Sequence, residues 1–159
     1  MKAGPLVMKI AVGSDERTHL TDRAIEWLRK HGHDLTLYGP LAEQAIPWSE
    51  VGQAVAEDVA QGTADEGILF CWTGTGVSIA ANKVPGIRAA LCDDPETAAG
   101  ARKWNRANVL CLSLRRISEA RVAEILETWF NTAYQPNPED DACLDRIAQI
   151  ERKYMARRS

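Results

Sequence analysis

Apolar and polar positions alternate along this chain in two rhythms. Short apolar runs at Lys9 to Gly13, Asp34 to Tyr38, Gly67 to Cys71, 87–92 and 108–112 have the length of strands. Between them, apolar residues return every three or four positions. Over Thr21 to His31 this spacing puts Ala24, Ile25, Trp27 and Leu28 on one helical face, with Gly32 as a C-terminal stop. Over Pro47 to Gln61 it runs through Val51, Val55 and Val59. Further helices are predicted over 77–83, which stops at Pro85-Gly86, and over 95–104 and 118–130. A last one, from about Glu139 to Tyr154, follows the elbow Gln135-Pro136-Asn137-Pro138 and has no strand after it.

Five strands separated by helices predict an α/β fold, a doubly wound five-stranded parallel sheet with helices on both faces and a C-terminal helical arm. In that architecture ligands bind outside the carboxyl ends of the strands. The loops that matter are then Gly13 to Thr18, Cys71 to Gly76, Cys92 to Pro95 and Leu112 to Arg116.

One of these loops stands out. An apolar run ends in Cys71, crosses Trp72-Thr73-Gly74-Thr75-Gly76 with glycine at alternate positions, and enters a stretch of helical spacing. Unpaired N–H groups at such a junction favour a thiolate and stabilise a developing oxyanion. Glycine lets the backbone approach a ligand. Against this stands the commoner case of a strand-end cysteine that is only a small buried hydrophobe. Two nucleotide motifs are excluded, because Ile79 occupies the third glycine position of a dinucleotide fingerprint and no Gly-Lys-Ser/Thr is present.

Composition narrows the classes further. The 159 residues fit a single domain over 8–159 with a short N-terminal extension over 1–7. With 45% hydrophobic and 26% charged residues the chain has globular composition, and a net charge of −3 gives no footprint for nucleic acid. Lys and Arg collect at the end, in Arg152-Lys153 and Arg157-Arg158, as a solvated helix face does. The cysteines Cys71, Cys92, Cys111 and Cys143 are widely spaced, so no metal site is expected. No apolar run reaches membrane-span length and no secretory core is visible, so a cytoplasmic location and no membrane partner are expected.

Longer stretches resemble a known family. Val12-Gly13-Ser14-Asp15 follows the first strand; Gly67-Ile68-Leu69-Phe70-Cys71 leads into Thr73-Gly74-Thr75-Gly76-Val77-Ser78-Ile79-Ala80-Ala81-Asn82-Lys83. Gly86-Ile87-Arg88-Ala89-Ala90-Leu91-Cys92 and Asn105 with Asn108-Val109-Leu110 come next. In this order, from Met8 to Glu151, they resemble the ribose-5-phosphate isomerase B and galactose-6-phosphate isomerase family. The resemblance implies a Rossmann-like fold and aldose–ketose interconversion of a small carbohydrate without metal or organic cofactor. It also implies a homodimer or dimer of dimers with interfacial active sites.

By that resemblance Cys71 is the base that moves a proton through an enediolate, with Asp15 and Thr73 as its catalytic neighbours. The amides from Thr73 through Gly74 and Thr75 to Gly76 hold the enediolate oxygen. Asp15 contacts sugar hydroxyls, Asn105 orients substrate oxygens, and Arg115 binds an anion. Ser14, Glu16 and Trp104 complete the expected substrate contacts.

The chain departs from the family pattern at several of these places. Glu16 stands where a histidine normally follows the aspartate, and Trp104 where a histidine helps open the sugar ring. Ala45-Ile46-Pro47-Trp48 replaces Asp-Tyr-Pro-His, and Glu139 and Cys143 align with two phosphate-holding arginines, leaving Arg146 as the nearby cation. The proton-transfer residues are kept while the ring-opening and phosphate-binding residues largely are not. The expected enzyme is therefore a cofactor-independent isomerase of a sugar or sugar phosphate for which ribose 5-phosphate is unfavourable. The alternatives are an isomerase of an unphosphorylated keto-sugar or uronate-like acid, and a carbohydrate binder without turnover.

Overall fold

The computed structural model describes residues 6–156. Residues 1–5 of the expected N-terminal extension, and Arg157-Arg158, lie outside the described residues. The strands are β1 (Lys9–Ser14), β2 (Asp34–Tyr38), β3 (Glu66–Cys71), β4 (Ala89–Leu91) and β5 (Val109–Ser113). The helices are α1 (His19–Lys30), α2 (Trp48–Gln61), α3 (Thr75–Ala81), α4 (Pro95–Asn105), α5 (Glu119–Asn131) and α6 (Pro138–Met155). All strand pairings are parallel and the order is β2-β1-β3-β5-β4, the Rossmann-like doubly wound arrangement.

Two periodicities divide the core. Ile68 and Phe70 of β3 and Leu110 and Leu112 of β5 face α1, α4 and α5 in one apolar cluster. Leu69, Cys71, Val109 and Cys111 face α2 and α3 in the other. Every residue of β3 and β5 is buried, which explains continuous apolar runs in place of alternation.

Local chemistry sets where the helices begin. Thr18 and Thr21 form a reciprocal capping box that opens α1, and Gly32, at φ +83°, follows its end. Asp94 accepts from the Thr97 amide at 2.6 Å and Pro95 occupies the first turn of α4. At the far end of α4, Arg102 reaches Glu66 at 2.6 Å, and Trp129 Nε1 donates to the same carboxylate at 2.7 Å. This buried group ties α4 and α5 to the start of β3. Burial pushes the Glu66 carboxyl above its ordinary value, with Arg102 and Trp129 opposing that rise.

The sequence pattern placed most elements to within two residues. Tyr38 is followed by a 3-10 turn over Gly39–Ala42 that the pattern did not show. The seven-residue α3 starts two residues earlier than its apolar spacing indicates, at Thr75. The arm α6 buries none of its residues and leaves Ile147 and Ile150 exposed. It is fastened where both Glu151 carboxylate oxygens accept from the Gly86 amide at 3.1 Å.

Candidate active site

The strand order reverses direction between β1 and β3, and a doubly wound sheet opens its ligand crevice at such a point. Gly13 pairs with Leu69 and Ser14 with Phe70, so Asp15, one residue past β1, stands level with Cys71 at the end of β3. These two residues flank the crevice. Cys71 is 4% exposed and packed beneath α3 beside Val77 and Cys111.

Asp15 is held by a short turn in which Ser14 Oγ donates to the Glu16 carbonyl at 2.5 Å and accepts from the Glu16 amide at 3.2 Å. The Ser14 side chain is wholly buried and shapes the loop from below. Asp15 Oδ1 is buried and, among the described residues, without a hydrogen-bond partner. Burial, and then the neighbouring charge of Glu16, raise this carboxyl above its ordinary value, against a backbone hydrogen bond that lowers it. A buried acceptor left open in a crevice is a place for a hydroxyl donor.

The loop after β3 is rigidly seated. Gly74 has φ +77°, and a Cβ on it would stand 2.6 Å from Leu91 Cδ1 and 3.0 Å from the Leu112 backbone. Only glycine fits there. The Trp48 indole lies over Gly76 so closely that a Cβ would come within 2.8 Å of Trp48 Cε3, yet the side chain is 45% exposed. Thr73 Oγ1 and Thr75 Oγ1 are 2.7 Å apart at the surface.

From the other side, Leu114 N donates to the Cys71 carbonyl at 2.9 Å and Arg115 N to the Trp72 carbonyl at 3.1 Å. Ser113 Oγ adds a third bond, to the Trp72 carbonyl, at 2.9 Å. Sequence reading missed Ser113, because a serine closing an apolar strand carries no periodic signal. Arg115 is exposed at this edge and, among the described residues, has no carboxylate partner, whereas Arg116 lies 3.6 Å from Asp93.

Trp104 and Asn105 stand elsewhere. Parallel strands require α4 to run back from the carboxyl edge of the sheet to its amino edge, and its end is fastened near Glu66, the first residue of β3. Within one protomer that separates Asn105 from Cys71 by about the length of β3, roughly 16 Å at about 3.3 Å per residue. Glu139 and Cys143 lie on the first turns of α6 at that same amino edge, where Tyr134 joins Asp141. One protomer thus gathers Asp15, Glu16, Cys71, Thr73, Gly74, Thr75, Gly76 and Arg115, and keeps Trp104, Asn105 and α6 apart from them.

A groove of about 930 Å³ between α1 and β2 presents Arg17, Asp22, Glu26, Arg29 and Lys30 but no thiol or hydroxyl. The chemistry therefore points to the β1/β3 crevice. Among the described residues no cluster of side chains suits a metal ion, and no helix is long and apolar enough to cross a membrane.

Known proteins share this fold and about a third of its sequence. The sequence profile of the family described as Ribose/Galactose Isomerase matches residues 10–150. The ribose-5-P isomerase B of Listeria innocua is 32% identical over 147 residues, 92% of this chain and 99% of the relative. The D-erythrulose-4-phosphate isomerase of Pectobacterium atrosepticum is 36% identical over 132 residues, 81% of this chain and 86% of the relative. The solved ribose-5-phosphate isomerase B of Clostridium thermocellum superposes with a TM-score of 0.86 at 36% identity, covering 92% of this chain and 99% of that one. The chain belongs to the ribose/galactose isomerase family and is an aldose–ketose isomerase.

Proposed function

We propose that this isomerase works through an enediolate with Cys71 as the base. The observation that carries the reading is the open, buried Asp15 Oδ1 standing level with Cys71 across the β1/β3 crevice. The Cys71 thiolate takes the proton from C2 of an open-chain aldose. The electrons of that C–H bond form C1=C2, and the aldehyde oxygen becomes an oxyanion held by the amides of Thr73 to Gly76. Asp15 accepts from the neighbouring hydroxyl and relays its proton between O2 and O1, and the Cys71 thiol returns a proton to C1. Substrate and product are isomers, so no electrons leave the molecule.

Trp104 and Asn105 reach such a site from a second copy of the chain. Trp104 is 54% exposed, and Ile147 and Ile150 of α6 are uncovered at the same amino edge. A homodimer that lays this edge over the partner's β1/β3 crevice covers those apolar groups and adds Asn105 to Cys71 and Asp15.

The substrate is an aldose phosphate other than ribose 5-phosphate. The exposed acidic turn Glu139-Asp140-Asp141 disfavours a phosphate monoester near α6, and Trp48 gives the crevice an apolar wall. The four-carbon substrate in the Pectobacterium relative's name supports a shorter chain. An unphosphorylated keto-sugar or uronate-like acid held by Arg115 is the second reading, favoured by that residue's lack of a carboxylate partner among the described residues. Proton NMR of the enzyme with D-erythrose 4-phosphate, D-ribose 5-phosphate, D-galactose 6-phosphate, their unphosphorylated sugars and keto-uronates tests both. Ketose formed fastest from the tetrose phosphate supports the first reading, and turnover confined to unphosphorylated substrates supports the second.

A further inference from the structure

We infer that Ser113 is a positioning residue of this site: by holding the Trp72 carbonyl toward β5, its hydroxyl aims the Thr73 N–H into the crevice between β3 and β1. Ser113 is 3% exposed and is the register partner of Cys71. Its Oγ donates to the Trp72 carbonyl, which also accepts from Arg115 N. In a trans planar peptide the C=O and N–H of one unit point in opposite directions. Because β3 lies between β1 and β5, a Trp72 carbonyl turned to β5 turns the Thr73 N–H away from β5 and toward Asp15. Among the described residues that N–H makes no hydrogen bond, so it is open to a ligand.

Of the bonds from Leu114 N, Arg115 N and Ser113 Oγ to the carbonyls of Cys71 and Trp72, the first two are between backbone atoms and form whatever the side chains are. The Ser113 hydroxyl is the one the sequence chooses. It supplies the second restraint on a single peptide plane, so the plane cannot rock about the Arg115 bond. A donor fixed where negative charge develops stabilises the transition state more than the bound substrate, and its loss appears in kcat.

This role rests on the enediolate reading above, and the experiment separates the two. With the fastest aldose of the NMR panel, kcat and KM are measured for the unaltered enzyme, Ser113→Ala, Ser113→Gly, Ser113→Thr and Cys71→Ala. Removing an oxyanion donor outright costs about 100- to 1000-fold, and loosening one costs less. Ser113→Ala and Ser113→Gly are each expected to lose about tenfold in kcat with KM within about twofold, and Ser113→Thr, which keeps the hydroxyl, to recover most of it. Unchanged kcat in both Ala and Gly variants, with Cys71→Ala inactive, overturns the role of Ser113 and leaves the cysteine mechanism standing. A loss confined to KM overturns it as well. Full activity in Cys71→Ala overturns the reading of Cys71 as the base.

Discussion

Asp15 and Cys71 stand level on adjacent strands, one residue beyond β1 and at the last residue of β3. This neighbour relation gives a carboxylate with an open acceptor a thiol as its companion, and it makes Asp15 costly as well as useful. Its carboxyl is raised above 3.8, first by burial and then by Glu16. A carboxyl raised in the folded state is most favourable below its unfolded value and loses stability as pH rises through the folded one. Asp15→Asn is therefore expected to raise the melting temperature at neutral pH, with the gain vanishing near pH 3.8, while turnover falls at least 100-fold. Calorimetry across pH, with assays alongside, checks both; a lower melting temperature at pH 7 contradicts the account.

Gly74 carries the turn that brings Thr73 and Thr75 over the crevice. At φ +77° a side chain costs about 1–2 kcal/mol, and contact with Leu91 and the Leu112 backbone adds to that. Gly74→Ala is expected to lower stability by at least about 1 kcal/mol in urea titration and to cut kcat more than it raises KM. A stable, fully active variant argues that the loop is not the seat of catalysis.

How much was legible in the sequence depends on the kind of signal. The strands showed as apolar runs because β3 and β5 are buried on both faces, and α1 showed through Ala24, Ile25, Trp27 and Leu28. The Cys71 loop was legible because alternate glycines and a strand-end cysteine are local features. Ser113 was not, since its meaning lies in a bond to Trp72, 41 residues away. Trp104 and Asn105 show the converse: resemblance assigns them to the site, and the course of α4 alone shows that their own protomer cannot deliver them to Cys71. The Glu66, Arg102 and Trp129 group was likewise hidden, because a glutamate opening a strand reads as a solvent-facing end.

That group sets a stability prediction. Arg102→Met removes the cation facing Glu66, whose side chain is 7% exposed, and leaves Trp129 Nε1 as its remaining donor. Breaking one side of a buried pair costs about 3–5 kcal/mol. Urea denaturation is expected to show a loss of that order, and a loss below about 1 kcal/mol means that the pair is not buried in solution.

Charge on α6 sets another. If phosphate is disfavoured by Glu139 and Cys143, then Glu139→Arg with Cys143→Arg lowers KM for ribose 5-phosphate by about tenfold or more, as two charge-assisted bonds replace repulsion. Steady-state kinetics on both proteins decides the point. Efficient turnover of ribose 5-phosphate by the unaltered chain places its phosphate on other cations, among Arg102, Arg106, Arg115 and Arg116.

The most direct measurement of the central claim is proton exchange in D2O. A base that shuttles a proton between C2 and C1 leaves deuterium at C1 of the ketose as its own proton trades with solvent. With the preferred aldose, the unaltered enzyme is predicted to form ketose carrying deuterium at C1 by NMR. Cys71→Ala, folded by circular dichroism and sedimenting as the unaltered enzyme does, is predicted to form neither ketose nor labelled aldose above background. Undiminished labelling by Cys71→Ala would contradict the account and transfer the base to another residue of the crevice, Asp15 first.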